Sequence, residues 1–173
     1  MRFILAVKIL LFTVIVPGSV TLYLPYSMLI RSAGGLHPAD LPIALPAGAL
    51  VAVGLLIYLR CAWDFAIAGL GTPAPIDPPK HLVVTGLYRW TRNPMYQGVI
   101  LLLFAECLLF LDSGLSVYAG VIALVFHCYV VLFEEPALRA RFGQAYAAYC
   151  RAVPRWGFAA KPFPTQPPER QAL

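Results

Sequence analysis

Charge is scarce in this chain: 13 lysines and arginines and 8 acidic residues make up only 12% of the 173 positions, about half the share a soluble globular domain carries. With 60% hydrophobic residues and a mean hydropathy of +0.75, that scarcity excludes a soluble fold and indicates an integral membrane protein. The basic residues are scattered without a Lys/Arg-rich run, so the net charge of +5 suits anionic lipid headgroups rather than nucleic acid. Cysteine is scarce too. Cys61, Cys107, Cys128 and Cys150 stand singly with no C-x-x-C, and two fall inside apolar runs. This points away from a metal site or a disulfide framework and toward reduced, small core side chains. No G-x-G-x-x-G and no P-loop occurs, and the chain has no room for a soluble α/β domain beside its apolar segments. Any nucleotide-like cofactor must therefore rest on short connectors and helix ends.

What is present is a series of apolar runs. A helix needs about 20 apolar residues to cross a bilayer, and residues 3–30, 41–59, 94–111 and 115–133 supply four such segments. The expected fold is all-α and membrane-embedded: four transmembrane helices, the last two a tight hairpin, followed by an amphipathic helix. The first segment is long enough to tilt, and Pro17-Gly18 is the place for it to bend. It is expected to be retained rather than cleaved as a signal peptide, because no small-x-small site follows its apolar core. Twelve of the 13 basic residues fall at the N-terminus, in the loop between the second and third segments, or after the fourth, and only Arg31 lies on the other side. Both termini and every polar motif are thus expected to be cytoplasmic in a multi-pass protein, with a bacterial inner membrane as its setting.

After Pro136, the residues Leu138, Phe142, Ala145, Tyr146 and Tyr149 recur at helical spacing, with Arg139, Arg141, Gln144 and Arg151 between them. This reads as an amphipathic helix at the membrane surface, started by Pro136 where the fourth span breaks off. Three regions follow: residues 1–79, two spans and a Pro/Gly-rich linker; residues 80–158, which carry the polar motifs; and residues 159–173, a Pro-rich tail expected to be unstructured from Lys161.

The polar residues of 80–158 cluster at the ends of the hairpin. Gly86-Leu-Tyr-Arg-Trp-Thr-Arg-Asn-Pro-Met-Tyr-Gln-Gly98 precedes the third span, and Glu134-Glu135-Pro136 closes the fourth. With the turn at Asp112-Ser113-Gly114, Glu134 is level with Asn93 and Glu135 with Arg92, so two carboxylates meet a guanidinium and an amide at one membrane face. An ordinary salt bridge between Arg92 and Glu135 accounts for this equally well. Pro94 opens the third span and holds Asn93 extended. Tyr88 and Tyr96 are pocket walls or interfacial belt residues. Glu106 and His127 are polar groups inside spans, for which a structural hydrogen bond is the expectation. Tyr23, Tyr26 and Tyr58 read as interfacial anchors.

Lys80-His81-Leu82-Val83 before Gly86-x-Tyr88, then Arg92-Asn93-Pro94-Met95-Tyr96, the hairpin, Glu134-Glu135 and Phe142-Gly143-x-x-Tyr146-x-x-Tyr149 resemble, in order and spacing, the membrane methyltransferases related to isoprenylcysteine carboxyl methyltransferase and the phospholipid N-methyltransferases. The resemblance covers residues 80–158, and the first two spans match in character only. Asn93 departs from the pattern, since the family often has histidine there. The resemblance implies S-adenosylmethionine as methyl donor, in a cytoplasm-facing pocket open sideways to lipid, and a lipid or isoprenoid acceptor, such as an isoprenylcysteine-like carboxylate. It implies a cofactor-binding set of His81, Leu82, Val83, Tyr88, Arg92, Asn93, Pro94, Tyr96, Glu134 and Glu135, with Arg92 and Glu135 as catalytic candidates. Arg92 suits the cofactor carboxylate, and the two glutamates suit ribose hydroxyls and the donor's positive charge. Tyr149, Arg151 and Arg155 are candidates for the acceptor, with lipid anchoring the alternative for the two arginines. Two other readings remain at this point: an NADPH-dependent membrane reductase of the sterol-reductase type, and a non-catalytic membrane scaffold.

Overall fold

The computed structural model describes residues 2–32, 37–68 and 82–164. His81, a cofactor-binding candidate, lies outside these residues, as do the linker over 69–80 and the end of the tail. Among the described residues all regular secondary structure is helical. Helix α1 (Arg2–Gly18) passes through a π-helical segment (Ser19–Tyr23) into α2 (Leu24–Leu29), and α3 is Leu41–Ala68. A 3₁₀ turn (Gly86–Arg89) leads to the hairpin of α4 (Pro94–Phe110) and α5 (Ser113–Tyr129). A second π-helical segment (Val130–Glu134) carries α5 into α6 (Glu135–Ala152).

Among the described residues, three helical stretches are long and apolar enough to cross a membrane: Val7–Leu29, Leu41–Asp64 and Ser113–Ala152. The segment expected as the third span forms α4, apolar but only 17 residues long. The distortion of the first span falls where Pro17 predicts it, because proline supplies no N–H to the preceding turn. Thr21 Oγ1 donates to the Pro17 carbonyl at 2.9 Å and Tyr118 Oη to that of Val20 at 2.9 Å.

Asp112 starts α5 as an N-cap, its carboxylate accepting from Leu115 N at 2.9 Å. Leu111 takes a left-handed conformation (φ 49°) to close the hairpin. The expected break at Pro136 is absent. Proline in a first helical turn forfeits no intrahelical bond, and Glu135 N reaches back to the Val130 carbonyl, so the chain stays helical through the acidic pair. It kinks instead at Gly143, whose φ of +50° and ψ of −122° are non-helical. The spacing of α6 buries Tyr146 and Tyr149 and leaves Arg139, Arg141, Gln144 and Arg151 exposed. Its apolar side packs on Leu82, Val84, Val153 and Phe163 of the same chain.

The core that positions the polar residues is the contact of α3 with α4. Gly54 and Gly98 bring the two backbones together: a Cβ on Gly54 would lie 2.9 Å from the Gly98 carbonyl oxygen, and one on Gly98 3.0 Å from that of Gly54. Small residues at membrane helix crossings serve this close approach. Below the crossing, the fully buried Cys61 packs on Tyr88 with Ile57, Val83, Leu87 and Met95 around them. Tyr58, expected as an anchor, is buried, and its Oη donates to Thr13 Oγ1 of α1 at 2.8 Å. The four cysteines are free, with Cys61 buried and Cys128 exposed.

Gly86 has φ +54°, and a Cβ there would run into the Asp64 carboxylate of α3. Gly86→Ala is therefore expected to cost at least the ~1–2 kcal/mol of a left-handed residue with a side chain, and more where Asp64 has to move. Thermal melting of the purified protein checks this, and an unchanged melting temperature would contradict the close approach.

Candidate functional site

The turn between the 3₁₀ segment and α4 is held by the chain that follows α6. Arg92 N donates to the Pro154 carbonyl at 3.0 Å, Ala159 N to that of Trp90 at 2.7 Å, and Phe163 N to that of Arg89 at 2.8 Å. Arg89 Nε answers with a 2.7 Å bond to the Phe163 carbonyl, and Phe163 meets the ring of Tyr149 edge-on. Residues 154–163 are thus strapped across residues 89–92, and the strap includes Phe163 of the tail expected to be unstructured. Proline richness lowers helical propensity but does not prevent a segment from docking by its remaining amides and one aromatic ring.

Glu135 lies under this strap, 4% exposed, at the centre of an arginine cluster. Arg92 Nη1 donates to Oε1 at 2.9 Å; Arg155 donates through Nε to Oε1 at 2.6 Å and through Nη2 to Oε2 at 2.9 Å; Arg139 Nη2 stands 4.0 Å from Oε2. These bonds to Glu135 also hold the proton on Arg155 more firmly than usual. The expected meeting of Arg92 with Glu135 is present. Glu134 pairs differently from the hairpin register: its Oε2 accepts from Tyr96 Oη at 3.0 Å, while Asn93 Nδ2 donates to the Arg155 carbonyl at 3.1 Å. Consecutive helical residues point about 100° apart, so the two glutamates face different spaces.

Glu134 faces a cleft with a cavity volume of about 110 Å³ that is open to the outside. Its lining includes Tyr88, Arg92, Asn93, Tyr96 and Glu134, with apolar side chains from Phe12, Val16 and Pro17 of α1, Val20 of the π-helical segment that follows, Met95 and Val99 of α4, and Phe126 of α5. Arg92 carries a feature that points to a ligand. Its side chain is 11% exposed and its Nη1 is occupied by Glu135 and by Cys150 Sγ at 3.0 Å, yet its Nε is buried with no partner among the described residues. A buried donor left unpaired is costly, and an anionic oxygen in the cleft would satisfy it.

The cleft therefore unites five of the sequence candidates and leaves others elsewhere. Pro94 is buried as the first residue of α4, Leu82 packs against Tyr146 and Tyr149, and Val83 packs against Cys61 and Tyr88. Glu135 and Arg155 stand beside the cleft in the ion cluster rather than on its lining. Tyr149 is buried and donates to the Tyr88 carbonyl at 2.6 Å; Arg151 is exposed. His127 accepts a 3.0 Å bond at Nδ1 from Trp156 Nε1, the structural bond expected of it. One carboxylate oxygen of Glu106 is buried without a partner among the described residues. Sequence reasoning missed Cys150, the strap over 154–163 and the whole contribution of the first span. Cys150 stands one residue past the Tyr146-x-x-Tyr149 pair, which was a usable signal. Nothing in the uniform apolar run of the first span marks Phe12, Val16 and Val20 above their neighbours.

A family model described as phospholipid methyltransferase matches residues 43–145, more than half of the chain. The match takes in α3, the 3₁₀ turn, the hairpin and the start of α6, and it begins after α1. Comparison with curated proteins and with solved structures gives no match.

Proposed function

Since the chain belongs to the phospholipid methyltransferase family, we propose that it transfers a methyl group from S-adenosylmethionine to a lipophilic acceptor, an isoprenylcysteine-like carboxylate or a related lipid, at the cytoplasmic face of the membrane. The observation that carries this reading is the composition of one cleft. Its lining combines Arg92, whose buried Nε has no partner among the described residues, and the Glu134 carboxylate with apolar side chains of the first span, α4 and α5. A donor that is polar and charged and an acceptor with a hydrocarbon tail need such a pairing of surfaces.

S-adenosylmethionine, when bound, supplies an electrophilic methyl group on a sulfonium. The chain's own task is to hold two reactants in line and keep water away. Arg92 offers its Nε–H to a carboxylate or phosphate oxygen. Glu134, held in place by Tyr96, accepts from hydroxyl groups and draws positive charge to the cleft. Among the described residues it accepts from the neutral phenol of Tyr96, whereas Glu135 is neutralised by the arginines around it. Asn93 keeps its carbonyl oxygen for a ligand while its amide nitrogen is tied to the strap. Phe12, Val16, Val20 and Phe126 form the apolar walls along which an acyl or prenyl chain lies. Leu82, Val83 and Pro94 support the lining from behind, and Tyr149 anchors the backbone of Tyr88. Arg151 stays free to meet headgroups.

Calorimetric titration of the detergent-purified protein with S-adenosylmethionine tests the proposal. Micromolar binding is expected, weakened about tenfold or more by Arg92→Ala, as befits a charge-assisted hydrogen bond worth ~1.5–3 kcal/mol, and weakened likewise by Glu134→Gln. Incubation of the bound protein with membrane lipids and a labelled methyl donor then identifies the acceptor. A folded wild-type protein that binds NADPH but not S-adenosylmethionine would sink the reading.

A further inference from the structure

A carboxylate can give both oxygens in fork geometry to only one guanidinium, and at Glu135 that one is Arg155. Arg92 holds only a share of Oε1, through Nη1. Its second contact from that nitrogen is the sulfur of Cys150, and its Nε has no partner among the described residues. Arg92 is thus held beside Glu135 without being consumed by it. The backbone of the same segment fixes the surroundings: the Pro154 carbonyl accepts from Arg92 N and the Arg155 carbonyl from Asn93 Nδ2. Two adjacent residues after α6 therefore set the backbone of one cleft residue and the side chain of the next.

Without Arg155, the physical outcome is determined by competition. Glu135 would be left buried with Oε2 bare and Oε1 bonded by Arg92 alone, and the nearest group able to fill the fork is Arg92. Arg139 stands 4.0 Å off and is largely exposed. Forming that fork would satisfy Glu135 and would withdraw Arg92 from the cleft. We propose that Arg155 is a positioning residue, which occupies both oxygens of Glu135 so that Arg92 keeps its Nε–H unpaired for an anionic oxygen of the cleft's ligand. What the ligand is rests on the methyl-transfer reading; the competition between the two arginines does not.

The test separates these two layers. In the full-length protein in detergent, the arginine Nε–H signals are recorded by ¹⁵N–¹H NMR and that of Arg92 is identified by its loss in Arg92→Lys. In Arg155→Ala the Arg92 signal is expected to shift and its exchange with water to slow, because the group becomes paired. In the double variant Arg155→Ala/Glu135→Gln, where the competing charge is gone, it returns toward the wild-type position. Arg155→Lys keeps the charge but cannot fork, and it carries the same test where the alanine variant does not fold. An Arg92 signal unmoved in folded Arg155→Ala or Arg155→Lys overturns the proposal. Affinity for S-adenosylmethionine provides the second readout: about a tenfold loss in Arg155→Ala, recovered at least in part by the double variant. A merely structural role of Arg155 predicts a double variant as weak as the single one, and that result also overturns it. Comparing S-adenosylmethionine with its decarboxylated analogue tells whether the anionic oxygen belongs to the donor or to the acceptor. A wild type that binds neither removes the methyl-transfer reading while the NMR result still decides the role of Arg155.

Discussion

Glu135→Ala is expected to lower stability by about 3 kcal/mol and to shift the melting temperature down by roughly 10 °C. The magnitude follows from what is left behind. Arg92 and Arg155 both donate to this carboxylate and Arg139 stands nearby, so alanine leaves like charges facing each other with nothing between them. Removing one partner of a buried ion pair costs ~3–5 kcal/mol because the survivor cannot be rehydrated. Arg92, 11% exposed, is in that position, whereas Arg155, 30% exposed, can turn partly to water, which places the expectation at the lower end. Glu135→Gln keeps the volume and one acceptor, so its loss should be smaller. Melting curves of the three proteins in one detergent give the order wild type, glutamine, alanine. An alanine variant as stable as wild type would mean that the cluster contributes nothing net to stability.

Gly98→Leu is expected to abolish the folded state recovered from detergent, and Gly98→Ala to cost only ~1 kcal/mol. The Cβ of either residue would sit 3.0 Å from the Gly54 carbonyl oxygen, 3.2 Å from Ile57 Cγ2 and 3.2 Å from Tyr58 N. A few tenths of an ångström relieve the alanine. The further carbons of leucine point at the backbone of α3, which has no rotamer to change, and overpacking against fixed atoms exceeds the usual ~1–3 kcal/mol. Displacing α4 also carries Asn93 and Tyr96 away from Tyr58, and so opens the cleft. Size-exclusion profiles and melting of the two variants decide the matter; a monodisperse, wild-type-like leucine variant would show that the helices part freely at this crossing.

The helices were readable because lipid-facing surface has to be apolar for as long as the bilayer is thick, and that demand appears directly in composition. The hairpin was readable for a similarly local reason: Asp112 caps α5, and the turn fixes which residues come level, so Arg92 and Glu135 were paired in advance. The same arithmetic placed Glu134 opposite Asn93, yet Glu134 bonds Tyr96. A π-helical segment over Val130–Glu134 changes the rotation of the chain just before the acidic pair, and no residue type announces it. Pro136 was a fair signal for a helix start and a poor one for a break, since proline at a first turn is compatible with an uninterrupted helix.

From residues alone came the membrane class and the polar cluster at the ends of the hairpin, because each rests on composition or on local spacing; the resemblance to the membrane methyltransferases then marked Tyr88, Arg92, Asn93, Tyr96 and Glu134 as candidates. Only the tertiary structure decided that these five share a cleft with Phe12, Val16 and Val20, that Glu135 turns away from it into an arginine cluster, and that residues 154–163 fold back as a strap. Those facts depend on how the first span packs on α3 and α4 and how the last segment crosses residues 89–93, through contacts such as Tyr58–Thr13 and Arg89–Phe163 between residues 45 and 74 positions apart. Apolar periodicity records that a face is buried or lipid-bathed; it does not record which partner covers it.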